Sequence, residues 1–544
     1  MRSAILIRLF GACACVVIAA ACATARASDA ATRLIADSAS LQGFTIPASA
    51  IGLPTRGAIV ETAVAVPASA PHNADGDFCK VTGIIRNATR SKALFEFEVN
   101  LPDAWNGRAL QMGGGGYDGS LVTALGPYTL QLPGEATPLK RGYITLGSNG
   151  GHRGGPGFDG RFGLDDEALL NYGKESVKKT HDAVMAIIRK AYGRAPRRFY
   201  FIGGSQGGHE ALDAAARYPD DYDGVVADFP AYNVTMLHLG SWNVGLALYA
   251  DHGAGWMDAA HVRLITDAVM AKCDALDGLE DGLIGNVAGC DAAFDVKTLR
   301  CPDGGTGASC LSDAQLKAVA RITSDYNPGF SIAGMATFPR WALLEGAKFS
   351  GPSNFGTVSQ PSNPLSGKEP LLYSVGAATI KYIITRDPNF DALHFDPKRY
   401  EARIATVASI MDVTDQSLER FRAKGGKIIM THGTADDFIT PHDSIAYYER
   451  QLAQFGPKRL HGFLRFYVIP GFGHGFGAFN AKFDALPALV QWVERGKAPA
   501  GLVAKDGNPH AHRTRPLCEY PTFPKFTGSP GTGDSAASFT CAQE

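Results

Sequence analysis

The chain has 544 residues, of which 45% are hydrophobic and 19% are charged, a composition typical of a globular protein with a large hydrophobic core. Its formal net charge of −1 gives no indication that it binds nucleic acid or an anionic membrane surface. The length predicts more than one domain, or one domain with a large insertion.

Residues 1–27 have the features of a secretory signal peptide. Arg2 and Arg8 supply positive charge, an apolar run follows, and Ala25-Arg26-Ala27 matches an A-x-A cleavage site. A lipoprotein signal with Cys22 as the lipidated residue is the alternative, although Ala19 stands where a larger aliphatic residue is usual. The sequence therefore predicts a secreted or periplasmic protein, and no later apolar run is long enough to span a bilayer.

Three of the ten cysteines lie in this leader, which leaves seven in the exported chain. An oxidising compartment favours disulfides. Six of the seven are neighbours in sequence, and the simplest pairing joins Cys273 to Cys290, Cys301 to Cys310, and Cys518 to Cys541. Cys79 is then left over, and it is predicted to be a buried thiol.

Residues 79–148 contain β-branched and aromatic runs bounded by Gly, Pro and Asn, which predict strands joined by turns. Residues 176–192 have apolar residues at helical spacing and predict a helix. After them, RRFYFIGG is typical of a strand, GGHEALDAAARYP of a helix and DGVVADFP of another strand. This alternation predicts a parallel α/β sheet.

The alternation stops near Tyr232. Residues 233–420 hold four clustered cysteines, an acidic loop and a stretch rich in Gly, Pro and Ser. The α/β pattern returns in GGKIIMTHGTADD and RFYVIPGFGHGFG, which precede the helical pattern of LPALVQWVERG. We therefore expect one α/β domain, made of residues 28–232 and 421–544, with residues 233–420 inserted as a lid.

Gly203-Gly204-Ser205-Gln206-Gly207 fits the G-x-S-x-G pattern between a predicted strand and a predicted helix. In an α/β-hydrolase core this sharp turn raises the serine Oγ above the sheet, and glycines flank it because side chains there would collide with neighbouring backbone. The following helix directs its N-terminal amides towards a developing oxyanion. Ser205 is therefore the predicted nucleophile, and a structural serine in a tight turn is the alternative.

A serine nucleophile needs a histidine base and an acid that orients it, and in this fold the acid precedes the histidine in sequence. KIIMTHGTADDFITP supplies Asp436 and Asp437 after a predicted strand, and the pattern leaves open which of them acts, since a turn carboxylate is often only solvated. RFYVIPGFGHGFG places His474 in a glycine-rich loop after the next strand, whereas His461 precedes that strand. His474 is the predicted base.

A run of four glycines, Gly113 to Gly116, follows the early predicted strand RALQM. Glycines let backbone amides approach a substrate closely, and this fold takes one oxyanion donor from a loop near an early strand. Gly115 and Gly116 are the candidates for that donor, and the amide of Gln206 is the candidate for the other. A flexible turn without function is the alternative.

Together these motifs resemble the tannase and feruloyl esterase family of secreted α/β hydrolases, which includes bacterial mono(hydroxyethyl) terephthalate hydrolases. The resemblance covers most of the chain after the leader. The motifs that show it are WNG before GGGGYDG, YGRAPRRFYFIGGSQGG, ARYPDDYDGVVADFPA, HGTADDFITP and IPGFGHG. It implies that Asp436, four residues after His432, is the acid of a Ser-His-Asp triad, and that His474 is the base.

The resemblance also implies a structural calcium site in the lid, at CDALDGLEDGLIGNVAGC. The implied ligands are the carboxylates of Asp274, Asp277 and Asp281 and the backbone carbonyls of Leu279 and Leu283. Hard oxygen ligands in a glycine-containing loop suit Ca²⁺, and the bracketing cysteines favour a metal loop over an acidic surface turn. No organic cofactor is expected.

The chain departs from the family pattern at two positions. Most members carry one cysteine just before the serine and another just after the histidine, and these form a disulfide between the two loops. Here the positions hold Gly204 and Gly475, so the expected active site lacks that disulfide. The family's N-terminal disulfide also has no visible partner for Cys79.

The activity that the resemblance implies is hydrolysis of aromatic acid esters through an acyl-enzyme, with a hydroxycinnamate, a gallate or a terephthalate monoester as the substrate. Arg340 and Lys381 are candidates for contact with a substrate carboxylate. The aromatic residues that can stack on such a ring, or equally form the lid core, are Trp242, Trp256, Phe338, Trp341, Phe349, Phe355, Tyr373 and Tyr382. The alternatives are an esterase for aliphatic or polyester-derived oligomers and a non-catalytic binding protein.

Overall fold

The computed structural model describes residues 38–155, 158–349, 354–414 and 417–543. The predicted signal peptide, with Cys22, lies outside these ranges. Inside them, none of the helices has the length and apolar character that crossing a membrane requires.

Ten strands in the described ranges form one mixed sheet with the order β1-β2-β3-β4-β6-β5-β7-β8-β9-β10. They are β1 (Thr45–Ile46), β2 (Ala58–Val66), β3 (Phe78–Ile85), β4 (Phe95–Pro102), β5 (Arg108–Met112), β6 (Ile144–Ser148), β7 (Arg198–Gly204), β8 (Gly224–Asp228), β9 (Lys427–Gly433) and β10 (Leu464–Ile469).

The direction of these strands changes across the sheet. From β6 through β5, β7, β8 and β9 to β10, neighbours are parallel, as the alternating pattern predicts. From β1 to β4, and between β4 and β6, they are antiparallel. The difference has a simple cause: no helix separates β2, β3 and β4 in sequence, and parallel neighbours need a long crossover connection.

The helices follow in chain order. They are α1 (Asp166–Leu170), α2 (Ser176–Tyr192), α3 (Gln206–Ala216), α4 (Val234–Gly253), α5 (Ala259–Cys273), α6 (Val287–Ala293), α7 (Asp313–Ile322), α8 (Leu371–Ala378), α9 (Glu401–Met411), α10 (Glu419–Ala423), α11 (Pro441–Phe455), α12 (Pro457–Leu460) and α13 (Ala485–Arg495). The predicted helix over residues 176–192 coincides with α2, and Gly193 ends it in the left-handed conformation that suits glycine.

The central strands carry core residues on both faces, because successive side chains point to opposite sides of a strand. In β7, Phe199 and Phe201 join the hydrophobic cluster that includes residues of α2 and α3. Tyr200 and Ile202 join the cluster that includes residues of α13. Strand β8 is buried at every position, which is typical of a parallel strand covered by helices on both faces.

Every strand of this sheet lies outside residues 233–420, the segment expected to form the lid. The described part of the segment is mainly helical, and α4 packs against α7, α8 and α9. This packing surrounds α4, so 15 of its residues are buried. The insertion therefore has hydrophobic contacts of its own.

The structure contains the three disulfides that the sequence suggests, between Cys273 and Cys290, Cys301 and Cys310, and Cys518 and Cys541. Cys79 is a free, buried thiol on β3, as expected. The last of the three disulfides ties the end of the chain, where the small strands are β11 (Ala481–Lys482), β12 (Val503–Asp506), β13 (Thr514–Pro516), β14 (Phe523–Phe526) and β15 (Phe539–Ala542).

Candidate active site

A cavity of about 460 Å³ opens where the parallel strands end, and Ser205 and His474 lie on its wall. Ser205 follows β7, and His474 lies in the loop after β10. Residues that follow parallel strands gather at the carboxyl edge of the sheet, which is where open α/β sheets bind ligands. The fold thus brings together the serine and the histidine, which are 269 residues apart in sequence.

Ser205 has a strained backbone conformation, with φ at 60° and ψ at −123°. Its amide donates to the carbonyl of Asp228 at 3.0 Å, and its carbonyl accepts from the amide of His209 at 3.0 Å. A β-carbon added to Gly203 would lie 2.5 Å from the backbone of Gly207, so the turn requires glycine there. Neighbouring backbone therefore holds a conformation that an isolated serine would avoid.

A continuous hydrogen-bond chain joins the three residues expected to form the triad. His474 Nε2 lies 2.9 Å from Ser205 Oγ. His474 Nδ1 lies 2.9 Å from Asp436 Oδ2. With Nδ1 hydrogen-bonded to a carboxylate, Nε2 is left to accept the serine proton, which is the arrangement that makes a serine nucleophilic.

Asp436 is fully buried, yet its surroundings favour the ionised form. Its Oδ1 accepts from the amides of Phe438 and Ile439 at 2.9 Å each. Burial opposes ionisation, but the nearby imidazoles of His474 and His432 outweigh it and hold the pKa of Asp436 well below its usual range. A permanent negative charge on Asp436 can stabilise a protonated His474.

Asp437, the other candidate acid, has the opposite character. Burial and repulsion from Asp436 raise the pKa of Asp437 to about 7. Its carboxyl accepts from the side-chain amide of Asn354 and lines the cavity, and it makes no hydrogen bond to His474. The structure therefore places Asp436, and not Asp437, against the histidine.

Phe229 connects the serine turn to the histidine loop. Its ring lies 4.8 Å from that of His474, in edge-to-face contact. A β-carbon added to Gly204 would lie 2.7 Å from Phe229 Cζ, and one added to Gly475 would lie 4.0 Å from the same atom. The ring thus fills the space between the two glycines at which the family pattern has cysteines. Its backbone is strained, with φ at 34°, and its amide donates to Thr431 on β9 at 2.6 Å.

Phe229 is not among the site residues predicted from the sequence. The only signal available was the pair of glycines itself, since two side chains lost together leave a space that another group must fill.

The four-glycine loop packs against the start of α3. The amide of Gly207 donates to Gly114 O at 3.1 Å, and the amide of Gly113 donates to Ile202 O at 3.0 Å. Gly116, with φ at 60°, lines the cavity beside Ser205, whereas Gly115 is exposed and is not on the cavity wall. Of the two candidate glycine donors, Gly116 is therefore the one beside the serine.

Gln206 and Gly116 also line a second, much smaller cavity of about 20 Å³ next to Ser205. This volume holds about one water molecule, so it cannot hold an aromatic ring. The side of Ser205 that faces this cavity is closed by Tyr117, Tyr172 and Leu237. A ring-bearing ligand would have to occupy the larger cavity.

The predicted lid aromatics do not line the larger cavity. Six of them are buried in the main hydrophobic cluster, and Trp256 and Tyr382 pack against it. The aromatic side chains on the cavity wall are instead Phe158, Phe438 and Phe476, and Phe476 is 70% exposed. The lid-core alternative is thus the correct one for the eight predicted residues.

Arg340 and Lys381, the candidate partners of a substrate carboxylate, lie elsewhere. Arg340 pairs with Glu345 and Asp291, and Lys381 donates to Asn363. Neither is on the wall of the 460 Å³ cavity beside Ser205, whereas Lys348 is. Arg340 lines a separate cavity of about 480 Å³. Lys348 is exposed and makes no ion pair with any described residue.

The acidic loop of the lid contains the five expected calcium ligands. Asp274 accepts from the amides of Asp281 and Gly282, Asp277 accepts from those of Leu279 and Gly285, and Asp281 accepts from that of Leu283. The loop begins at the disulfide-bonded Cys273, and its members Gly282 and Ile284 line the larger cavity.

The charge of this loop suits a cation. Arg515 pairs with Asp281 and supplies one positive charge against three carboxylates. Within the described residues, the ligand atoms of these three carboxylates do not all lie within 4.8 Å of one another. Those of His181, Asp182 and Asp221 do, but Lys178 already forms ion pairs with both of these aspartates. Oxygen donors with excess negative charge nevertheless fit Ca²⁺ chemically.

The sequence profile of a family described as tannase and feruloyl esterase matches residues 79–542. An uncharacterized esterase of Agrobacterium fabrum is 37% identical over 92% of this chain and 92% of its own. A mono(2-hydroxyethyl) terephthalate hydrolase of Piscinibacter sakaiensis is 33% identical over 90% of this chain and 89% of its own.

Among solved structures, feruloyl esterase B from Aspergillus oryzae superposes on this chain with a TM-score of 0.75 at 24% identity. The superposition covers 94% of this chain and 100% of the feruloyl esterase chain. This likeness shows the fold. The expected α/β-hydrolase class is confirmed.

Phe229→Ala should loosen the histidine loop. Loss of a buried phenylalanine typically costs about 3 kcal/mol of unfolding free energy, and His474 would lose its edge-to-face partner. We expect Ser205 to react several-fold more slowly with a serine-directed phosphonate. Phe201→Ala is the matched control, because Phe201 is also buried but lies within the sheet. Equal labelling rates in the two variants would show that Phe229 has no positioning role.

Asp437→Asn should stabilise the protein at high pH. The carboxyl has a pKa of about 7 in the fold against an ordinary value of 3.8, so the wild type loses stability as pH rises from about 4 to 7. The variant should gain on the order of 2 kcal/mol in urea unfolding at pH 8, and less at pH 4.5. Asp267→Asn, at an exposed position of α5, should gain nothing at either pH. A gain for Asp437→Asn that is independent of pH would contradict the assignment.

Proposed function

The chain belongs to the tannase and feruloyl esterase family, and on this basis we propose that it is a secreted serine carboxylesterase in which Ser205, His474 and Asp436 form the catalytic triad. The main support for the proposal is the pair of hydrogen bonds that links these three residues, with 2.9 Å between Ser205 Oγ and His474 Nε2 and 2.9 Å between His474 Nδ1 and Asp436 Oδ2. Ester hydrolysis is the activity of the named relatives. The predicted signal peptide at residues 1–27 supports export.

In the first step, His474 Nε2 takes the proton from Ser205 Oγ as this oxygen attacks the ester carbonyl. The negative charge of Asp436 stabilises the imidazolium and keeps the proton of Nδ1 in place. The amides of Gln206 and Gly116 are the proposed donors to the oxyanion, since both residues lie beside Ser205. His474 then protonates the departing alcohol oxygen.

The acyl-enzyme is hydrolysed by the reverse sequence. His474 takes a proton from water, the resulting hydroxide attacks the acyl carbonyl, and the proton returns to Ser205 Oγ as the acid leaves. The cavity beside Ser205 is open to solvent on the side of the exposed Phe476, which gives water access.

The proposed substrates are esters of aromatic acids, such as hydroxycinnamates or gallates. A cavity of about 460 Å³ is the size typical for a small-molecule ligand. Its walls carry Phe158, Phe438 and Phe476, whose rings can pack on an aromatic acid. The small cavity next to Ser205 has no room for such a ring, so the ring belongs in the larger one.

A terephthalate monoester is the second candidate substrate, and Lys348 is the observation that favours it. Such an ester carries a free carboxylate at the end of the ring that is remote from the ester. Lys348 is a cation on the cavity wall without a carboxylate partner among the described residues. It can pair with the free carboxylate, whereas a neutral ferulate ester gains nothing from it.

The proposal includes a structural Ca²⁺ in the loop of the lid, held by Asp274, Asp277 and Asp281 and the carbonyls of Leu279 and Leu283. When bound, the ion would neutralise carboxylates that repel one another, and it would take no part in the chemistry. Because Gly282 and Ile284 of the same loop line the cavity, an ordered loop also means an ordered substrate site.

Ser205→Ala should lower kcat/KM for an activated aromatic ester by at least about 10³-fold, because removal of the nucleophile disables the whole triad. Ser176→Ala is the matched control, since Ser176 is 1% exposed and its hydroxyl has no partner among the described residues. It should hydrolyse the ester at the wild-type rate. Equal turnover by wild type and Ser205→Ala would favour the alternative of a non-catalytic binding protein.

Methyl ferulate, a gallate ester, a terephthalate monoester and an aliphatic ester should be compared on wild type and Lys348→Met. For the monoester we expect KM to rise about fivefold in the variant, the effect of a partly exposed ion pair, while KM for methyl ferulate stays constant. An equal effect on both would exclude a carboxylate contact. Fastest turnover of the aliphatic ester would instead support the alternative of an esterase for aliphatic or polyester-derived oligomers.

Calcium removal should lower the thermal stability. A ligand at 100 times its Kd adds about 2.7 kcal/mol to the stability of the folded state, so added Ca²⁺ should raise Tm of chelated protein by several degrees. Asp277→Asn should abolish this response, and Asp267→Asn should retain it. No calcium response in the wild type would mean that the arginines beside Asp281, Arg515 and Arg513, balance the loop without a metal ion.

A further inference from the structure

The helical run from α1 to α2 is interrupted by a π turn over Asn171–Glu175. A π turn inserts one extra residue, and one residue corresponds to about 100° of rotation in a helix. Such turns are costly and recur at functional sites. This one contains Tyr172, whose side chain is 2% exposed and lines the small cavity beside Ser205.

The hydroxyl of Tyr172 meets both residues that are proposed to supply the oxyanion donors. It lies 3.3 Å from the carbonyl oxygen of Gly116 and 3.2 Å from Gln206 Oε1. Gly116 belongs to the four-glycine loop after β5 and Gln206 to the start of α3 after β7, and β5 and β7 are neighbouring parallel strands. The hydroxyl has one proton, which these two oxygen acceptors share, so a single buried group contacts both halves of the oxyanion site.

Glu210 makes a second link between the same two elements. It lies on α3, five residues after Ser205, and its Oε2 accepts from the amide of Gly114 at 2.8 Å. A β-carbon added to Gly113 would lie 2.7 Å from this oxygen, so carboxyl and loop are in close contact. Burial raises the pKa of Glu210 to about 7.

We propose that Tyr172 and Glu210 are positioning residues of the oxyanion site, which fix the four-glycine loop against the helix that carries the nucleophile. Glycine has little conformational preference of its own, so four in a row need external contacts to present an amide in one place. Preorganised donors are what stabilises an oxyanion, since donors that must reorient during the reaction lose much of their effect. The inference rests on the proposed function, because it concerns the same site.

Tyr172→Phe removes only the bridging oxygen. We expect kcat for an aromatic ester to fall about tenfold with KM nearly unchanged, because the oxyanion forms after binding. Inhibition by a boronic acid, which forms a tetrahedral adduct with Ser205, should weaken by a similar factor. Tyr222→Phe is the matched control: Tyr222 is 0% exposed, and its hydroxyl donates to Gln111 at 2.8 Å, away from both cavities. It should match Tyr172→Phe in lost stability while retaining the wild-type kcat.

Glu210 is tested by a pair of variants. Glu210→Met removes the acceptor and should lower kcat about tenfold, whereas Glu210→Gln keeps an acceptor for the amide of Gly114 and should restore most of the activity. Equal losses in both would mean that the loop needs charge, not a hydrogen bond, and would overturn the role given to Glu210. Wild-type kcat in Tyr172→Phe would overturn that given to Tyr172.

These outcomes are separate from a failure of the proposed function. If Ser205→Ala were as active as wild type, the triad and the oxyanion site would fall together. If Ser205→Ala were inactive and both Tyr172→Phe and Glu210→Met kept wild-type kcat and boronic acid affinity, the esterase would stand and only the positioning inference would be wrong.

Discussion

The backbone turn at Ser205 is the constraint on which the rest of the site depends. Its φ of 60° is unfavourable for serine, and the fold maintains it through hydrogen bonds to Asp228 and His209. The same turn ends β7 and starts α3, so it places the serine oxygen at the carboxyl edge of the sheet. Glycines at 203 and 207 are then required, since their neighbours leave no room for a β-carbon.

Charge is distributed unequally around this turn. Two adjacent aspartates follow β9, and burial affects both, yet only Asp436 has two backbone amides and two imidazoles to stabilise its anion. Asp437 keeps a raised pKa because it lies beside that anion. Two identical side chains therefore differ in their ionisation because of the groups that surround them, and only one of them can support a charged histidine.

Much of the fold could be predicted from sequence. The predicted helix over residues 176–192 and the strands of the α/β pattern are found in the structure, because their hydrophobic period and their glycine boundaries are local properties. The lid aromatics were harder to assign. A tryptophan in a helix has the same sequence pattern whether it faces a cavity or a core, and the packing of α4 against α7, α8 and α9 placed Trp242 and Tyr373 in the core.

Spacing along the chain predicted the order and type of the proposed reactive groups: a serine in a glycine-rich turn, an acid after one strand and a histidine after the next. These are read from spacing, since each follows a strand whose direction is set by its neighbours. The contacts that hold and surround these groups come from the folded structure. Phe229 between two glycines, Tyr172 between Gly116 and Gln206, and Lys348 on the cavity wall all depend on contacts between distant segments. No local pattern encodes such contacts, because they arise when separate elements pack against each other.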